Sequence, residues 1–187
     1  MSLNKQMDED ISLVERYIAG DVEAFEELVM RYQKQIYAFV YRMTNEVEEA
    51  KDLTQKTFLK AIKGITGFRK KSSFKTWLYQ IAVNTSLDHI KRDRHKEIEI
   101  DESIAGHQEG ILSSIIENEK RDHIKRGIAM LPERQRLAII LRVYEGLGCI
   151  ETAEVMKCSE GAVKAHYHNG VKRLRELLKE KGYEAGS

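Results

Sequence analysis

Residues 148–178 read GCIETAEVMKCSEGAVKAHYHNGVKRLRELL. Cys149, Thr152, Ala153 and Met156 fall on one face of a short helix. Lys157-Cys158-Ser159 makes a turn, and Ser159 is a natural N-cap for a second helix. From Val163, the residues Tyr167, Gly170, Val171, Leu174 and Leu178 recur at helical spacing and predict an inward stripe. The opposite face then presents Lys164, Ala165, His168, Asn169, Lys172 and Arg175, donors and small residues without an acid, and Ser159 at the helix start joins them as a candidate DNA contact. A helix with an apolar back and such a front fits a major groove: donors near its N-terminus meet base edges, and later cations meet phosphates. The stretch therefore reads as a helix-turn-helix, and the alternative at this level is an ordinary helical hairpin with a solvated face.

Upstream of it, LPERQRLAIILRVYEGL (131–147) continues the helical period, with Pro132 at a first-turn position where its missing N–H costs nothing. Another helix is predicted over about 113–129. Residues 97–112, EIEIDESIAGHQEGIL, hold two glycines and many acids without a period and read as a linker. Extended, sixteen residues reach at most about 53–58 Å. The N-terminal half is again helical. Asp10 is expected to cap a short helix that closes at Gly20, and Asp21 starts a longer one carrying Phe25, Leu28, Val29, Tyr32, Ile36, Phe39, Val40 and Met43 at spacings of three and four. After the break at Thr44-Asn45, Val47, Ala50, Leu53, Thr54, Phe58 and Ala61 rebuild the stripe. Gly64 to Ser73 is a basic loop, and Ser73 caps a helix with Phe74, Trp77, Leu78, Ile81 and Ala82 inward, running to about His95. The expected fold is all-α: a helical domain over 1–95, a flexible acidic linker over 96–112, and a helix-turn-helix domain over 113–187.

Composition supports that organisation and limits function. The 187 residues suffice for one compact domain or two small ones, and one proline with 7% aromatics disfavours a turn-rich β fold. The formal charge of +1 conceals strong segregation. Residues 60–96 carry ten Lys/Arg against two Asp/Glu, and residues 157–181 carry seven against three, whereas residues 97–119 carry seven acids and no base. Two basic blocks separated by an acidic stretch suggest two contacts with a polyanion. Cys149 and Cys158 match neither a disulfide framework nor a zinc pattern. His89, His95, His107, His123, His166 and His168 form no catalytic spacing, and no phosphate loop or nucleophile elbow occurs. The reading is a non-enzyme with no metal, no cofactor and no small-molecule substrate. No apolar run is long enough to span a bilayer and the start, MSLNKQMDED, is polar and acidic, so the expected location is the cytoplasm, with no direct membrane insertion.

Taken together in order and spacing, DVEAFEELVMRYQKQIYAFVYRMT (21–44), DLTQKTFLKAI (52–62), SSFKTWLYQIAVNTSLDHIKR (72–92), LPERQRLAIILRVYEGL (131–147) and SEGAVKAHYHNGVKRLRELL (159–178) resemble the extracytoplasmic-function sigma factors, small bacterial promoter-recognition subunits of RNA polymerase. The resemblance covers about residues 10–180. It implies a sigma-two-like domain that binds core polymerase and reads and melts the −10 element, and a sigma-four-like domain that reads the −35 element as duplex. By that resemblance Arg69, Lys70, Lys71, Ser72, Ser73 and Asn84 read the unpaired −10 strand, while Lys75, Lys91 and Arg92 hold phosphates. Melting then needs no catalysis by the factor: extruding a base costs a few kcal/mol, and stacking with edge contacts returns about 1–3 kcal/mol per base. Trp77 is either a core anchor or a stacking surface, and its place in the stripe favours the core.

The resemblance further implies that Asp52, Leu53, Gln55 and Phe58 dock on the β′ clamp helices of core RNA polymerase, that the C-terminal domain meets the β flap, and that an anti-sigma factor covers the polymerase-facing surfaces. Amphipathicity alone would equally explain Leu53 and Phe58. Four positions depart from the family pattern. Lys56 stands where an acid is usual, Thr152 where an apolar residue is usual, Asn169 where a base is usual, and Gly170 sits in mid-helix. Thr152 is expected to bond back to the Gly148 carbonyl, and Gly170 to permit close packing. The competing function is a stand-alone helix-turn-helix regulator that binds duplex DNA without polymerase.

Overall fold

The computed structural model describes residues 3–99 and 115–180. It is all-α there, with no strand among the described residues. The elements are α1 (Leu3–Ile18), α2 (Val22–Thr44), α3 (Val47–Gly64), a 3₁₀ turn (Ile65–Gly67), α4 (Phe74–Glu99), α5 (Ile115–Ala129), α6 (Glu133–Ile139), a π-helical turn (Ile140–Tyr144), α7 (Cys149–Met156) and α8 (Glu160–Glu180). No helix among the described residues is long and apolar enough to cross a membrane.

In the N-terminal set, α2 is the central element, packing against α1, α3 and α4. Its stripe of Leu28, Tyr32, Ile36, Phe39 and Val40 is fully or almost fully buried, facing Leu53 and Ala61 of α3 and Phe74, Leu78 and Ala82 of α4. That burial drives the bundle, since each such side chain removed from water contributes about 1.5–3 kcal/mol. α2 ends where Asn45 takes a left-handed conformation (φ 61°) and returns its N–H to the Tyr41 carbonyl.

Three local expectations change. Asp10 is not a cap: α1 starts earlier, and Asp10 lies in its interior, 1% exposed, accepting from Arg31 at 2.6 Å and from the Tyr32 hydroxyl. A carboxylate near a helix start looks like a cap in sequence, and only the neighbouring helix reveals the partners that make its burial tolerable. Burial nonetheless pushes the Asp10 carboxyl above its usual value, against the opposing pull of Tyr32 and Arg31. The α4 helix runs to Glu99 rather than ending near His95, so the linker begins later than expected. The remainder of that linker, residues 100–112, lies outside the described residues. Pro132 is the N-cap of α6 rather than its first helical residue.

The C-terminal set packs α6, α7 and α8 around Leu137, Ile140, Leu141, Val155, Met156 and Val163. Between α6 and α7 the helix widens by one residue, the Glu145 N–H bonding to the Ile140 carbonyl at 3.1 Å. The chain then reverses at Gly146, whose φ of +66° suits a residue without Cβ. The two sets touch: α7 packs across the first turns of α4, and the π turn lies against α2.

Candidate nucleic-acid interface

The helix-turn-helix is built from short local bonds. Glu151 accepts from the Gly148 N–H at 2.7 Å, and the Thr152 hydroxyl donates to the Gly148 carbonyl at 2.8 Å, as expected for this threonine. The turn passes through Lys157 in a left-handed conformation (φ 50°), and Ser159 Oγ accepts from the Ala162 N–H at 3.2 Å. Ser159 therefore serves first as the cap that aims α8. Gly170 lies against α6 so closely that a Cβ would stand 3.0 Å from Ile139 Cδ1 and 3.3 Å from the Gln135 carbonyl. This contact fixes how α8 rolls on its support. Lys164, Ala165, His168, Asn169, Lys172 and Arg175 all face solvent. Tyr167, expected inward, is 36% exposed and sits at the margin of the stripe.

On the N-terminal set the basic loop is pinned at one end by buried Ile65 and Phe68 and at the other by the cap of α4, where Ser73 Oγ accepts from the Thr76 N–H at 3.0 Å. Ser73 and the Thr76 hydroxyl are also 2.9 Å apart. Ser73 is thus occupied in capping, while Arg69, Lys70 and Lys71 are exposed and Ser72 is half-buried. Lys70, at φ 55°, pairs with Glu15 of α1. Gly67, Phe68, Arg69, Lys71, Ser72, Trp77 and Gln80 line an open cleft of about 360 Å³, with Glu154 of α7 on its wall. Trp77 meets both expectations in part: it packs on Phe68 and Phe74 (ring centroids 5.3 and 5.7 Å away) and also lines the cleft. Asn84, Lys91 and Arg92 are exposed farther along α4.

Lys75 has a different environment. Its ammonium donates to the Glu145 carbonyl of the C-terminal set at 2.8 Å. The Glu145 carboxylate, 5% exposed, accepts from Arg42 at 3.2 Å and from the Tyr79 hydroxyl. Burial is the largest influence on this carboxyl and raises its pKa, opposed by Tyr79, Arg42 and Lys75. The same burial, with Glu145 alongside, pushes the Tyr79 phenol up. Sequence reading misses Arg42, Tyr79, Glu145, Glu151 and Glu154 as members of this region. The one available signal is an acid at the end of an otherwise apolar run, 131–147.

Of the residues that the resemblance gives to polymerase docking, the two apolar ones lie inside the fold. Leu53 has no exposed surface and Phe58 is 9% exposed, because both complete the core against α2 and α4. Asp52 and Gln55 do face solvent, as does Leu59, which is 58% exposed and which the sequence did not single out. Lys56 pairs with Asp52 one turn away, so the unusual base partly neutralises its neighbour.

Comparison with known proteins matches residues 28–96 to Sigma-70 region 2 and residues 121–174 to Sigma-70 region 4. The RNA polymerase sigma-H factor of Pseudomonas aeruginosa is 34% identical over 92% of this chain and 97% of its own length. The ECF RNA polymerase sigma factor SigW of Bacillus subtilis is 32% identical over 86% of this chain and 92% of its own. Among solved structures, the sigma factor RpoE of Bartonella quintana, in complex with the anti-sigma factor NepR, superposes with a TM-score of 0.67 at 28% identity, covering 84% of this chain and 98% of that one. CnrH, in complex with the cytosolic domain of CnrY, shares the fold (TM-score 0.71, 20% identity, 92% of this chain and 98% of that one).

Proposed function

The chain belongs to the sigma-70 family, in its extracytoplasmic-function group, and from that premise we propose that it gives core RNA polymerase a promoter specificity with two elements. The helix-turn-helix of α7 and α8 reads the −35 element as intact duplex. The loop 69–73 and α4 take the −10 element as unpaired strand, Arg69, Lys71 and Ser72 at the cleft, Asn84 beyond it, and Lys91 and Arg92 on the backbone. Asp52 and Gln55 make the polar part of the contact with the β′ clamp helices, and Leu59 supplies an apolar one. Release from an anti-sigma factor controls access, by analogy with the Bartonella relative solved with one. The protein itself catalyses nothing in this scheme.

The observation that carries the reading is the division of donor-rich surface between two helical sets: one a regular helix face fit for a groove, the other a loop beside a cleft large enough for a base. A groove is readable from a straight helix, whereas an unpaired base must be held from several sides. Purified core polymerase with and without the chain, on a pool of genomic templates, tests it. Initiation from a restricted set of promoters that share two spaced elements is expected only with the chain. No chain-dependent initiation on any template would overturn the proposal, and tight duplex binding by the chain alone would favour the stand-alone regulator instead.

A further inference from the structure

The basic loop between the 3₁₀ turn and α4 carries three cations in a row, and they do not point the same way. Arg69 and Lys71 line the cleft beside Trp77, whereas Lys70 lies outside it. Lys70 has φ 55°, a left-handed conformation that is costly for a residue with a Cβ. Its ammonium crosses to α1 and pairs with the Glu15 carboxylate, 55 positions away. Among the described residues no other cation pairs with Glu15. The platform under that acid is firm. Leu13 and Val14 beside it are buried, Asp10 is held by Arg31 and Tyr32 of α2, and the Tyr17 ring packs on Phe25 with centroids 5.2 Å apart. α1 also packs against the 3₁₀ turn that feeds the loop. Buried Phe68 and the Ser73 cap already fix the loop's ends, so only residues 69–72 remain to be set. A surface pair whose side chains are 41% and 58% exposed contributes too little to hold a fold. It is enough to choose between conformations of so short a segment.

We propose that Glu15 is a positioning residue for the strand-reading loop: by drawing Lys70 onto α1 it holds residue 70 left-handed and turns Arg69 and Lys71 together into the cleft. This rests on the reading of loop 69–73 as the strand-binding surface, and it assigns Lys70 to support instead of to the strand. Without the pair, residue 70 returns to ordinary backbone angles. Repulsion then spreads three adjacent cations that Glu15 otherwise divides between two sides of the loop. By charge alone, an acid beside a nucleic-acid surface weakens binding. The positioning role and bare electrostatics therefore give opposite signs for the loss of Glu15.

The test compares the full chain with Glu15→Gln, Lys70→Ala, Lys70→Gly and the exchange Glu15→Lys/Lys70→Glu, which keeps the net charge of the parent. Trp77 is the chain's one tryptophan and lines the cleft. Quenching of its fluorescence by iodide, relative to neutral acrylamide, therefore reports the cations beside it. Open-complex formation by the holoenzyme, read with permanganate, reports strand holding. Glu15→Gln is expected to lower the iodide preference and to reduce opening about threefold, the factor that corresponds to an exposed ion pair, with the urea midpoint unchanged. Lys70→Ala gives the same two losses. Lys70→Gly removes the same charge but loses less, because glycine takes the left-handed conformation without a partner. The exchange restores both readouts. A rise, or no change, in iodide preference for Glu15→Gln would overturn the positioning role. Equal losses in Lys70→Ala and Lys70→Gly would overturn it too, by making Lys70 a direct contact. Reduced iodide preference with unchanged opening would overturn the assignment of the loop to the strand. A holoenzyme that opens no template would remove the sigma reading, while the quenching still decides whether Glu15 aims the loop.

Discussion

The two regions proposed to meet DNA differ in how completely they are available. On α8, Lys164, Ala165, His168, Asn169, Lys172 and Arg175 stand free on a straight helix, with no partner elsewhere in the chain among the described residues. On the N-terminal set, Ser73 is spent in a cap, Lys70 pairs with Glu15, Lys75 with the Glu145 carbonyl, and Glu154 shares the cleft. Duplex is a regular object, and a helix can be finished as its complement in advance. An unpaired strand is irregular, and the loop that holds it carries concentrated charge that the rest of the chain can satisfy in its absence. The surface proposed to read duplex is therefore prebuilt, while the one proposed to read single strand has internal partners to give up first.

The sharpest way to break this comparison is through the cores that support each reader. Leu53→Ala removes a fully buried side chain behind α3 and is expected to cost about 2–5 kcal/mol in urea unfolding. Asp52→Ala on the adjacent turn should leave stability within about 0.5 kcal/mol while weakening binding to core polymerase in a pull-down titration. If Leu53→Ala spares stability and loses only polymerase, the assignment of Leu53 to the core is wrong. Gly170→Val forces atoms into Ile139 and Gln135 and should cost about 1–3 kcal/mol, with loss of −35 use as α8 shifts on α6.

Smaller effects separate the readers themselves. Lys164→Glu and His168→Ala should weaken binding of holoenzyme to −35 duplex by about 1–3 kcal/mol for a base-edge contact, with binding to core polymerase intact. Asn84→Ala should instead slow formation of permanganate-reactive open complex and spare duplex engagement. Equal loss of core binding in all three would indicate misfolding. The smallest effect is on pH. The Glu145 carboxyl titrates above its ordinary 4.5 while the two helical sets are in contact, so that form holds more protons than the separated one between those two values. The contact is strongest below 4.5 and weakens as pH rises through the raised value. The groups that face it are Tyr79, Arg42 and Lys75. Scattering across this window should show the parent chain compacting as pH falls, and Glu145→Gln showing no such dependence.

Most of the fold is legible because helices announce themselves locally. The stripes of α2 and α8, the break at Asn45, the Ser73 and Ser159 caps, the Thr152 back-bond and the close packing at Gly170 all come from residues within a few turns of one another or from the period of one helix. The errors arise where a side chain's partner lies far along the chain. Asp10 resembles a cap in sequence because Arg31 and Tyr32 are a helix away, and amphipathic spacing did not say that Leu53 and Phe58 are covered by neighbouring helices.

By itself the sequence determined an all-α chain in two parts, the family to which it belongs, and the outward face of the helix-turn-helix. These are properties of period, cap and charge along single elements. Tertiary structure alone decided that Glu145 meets Tyr79 and Arg42, 66 and 103 positions away, and that Glu154 reaches a cleft built from the other half. Such meetings depend on how whole helices pack, and no spacing within one helix encodes the partner on another.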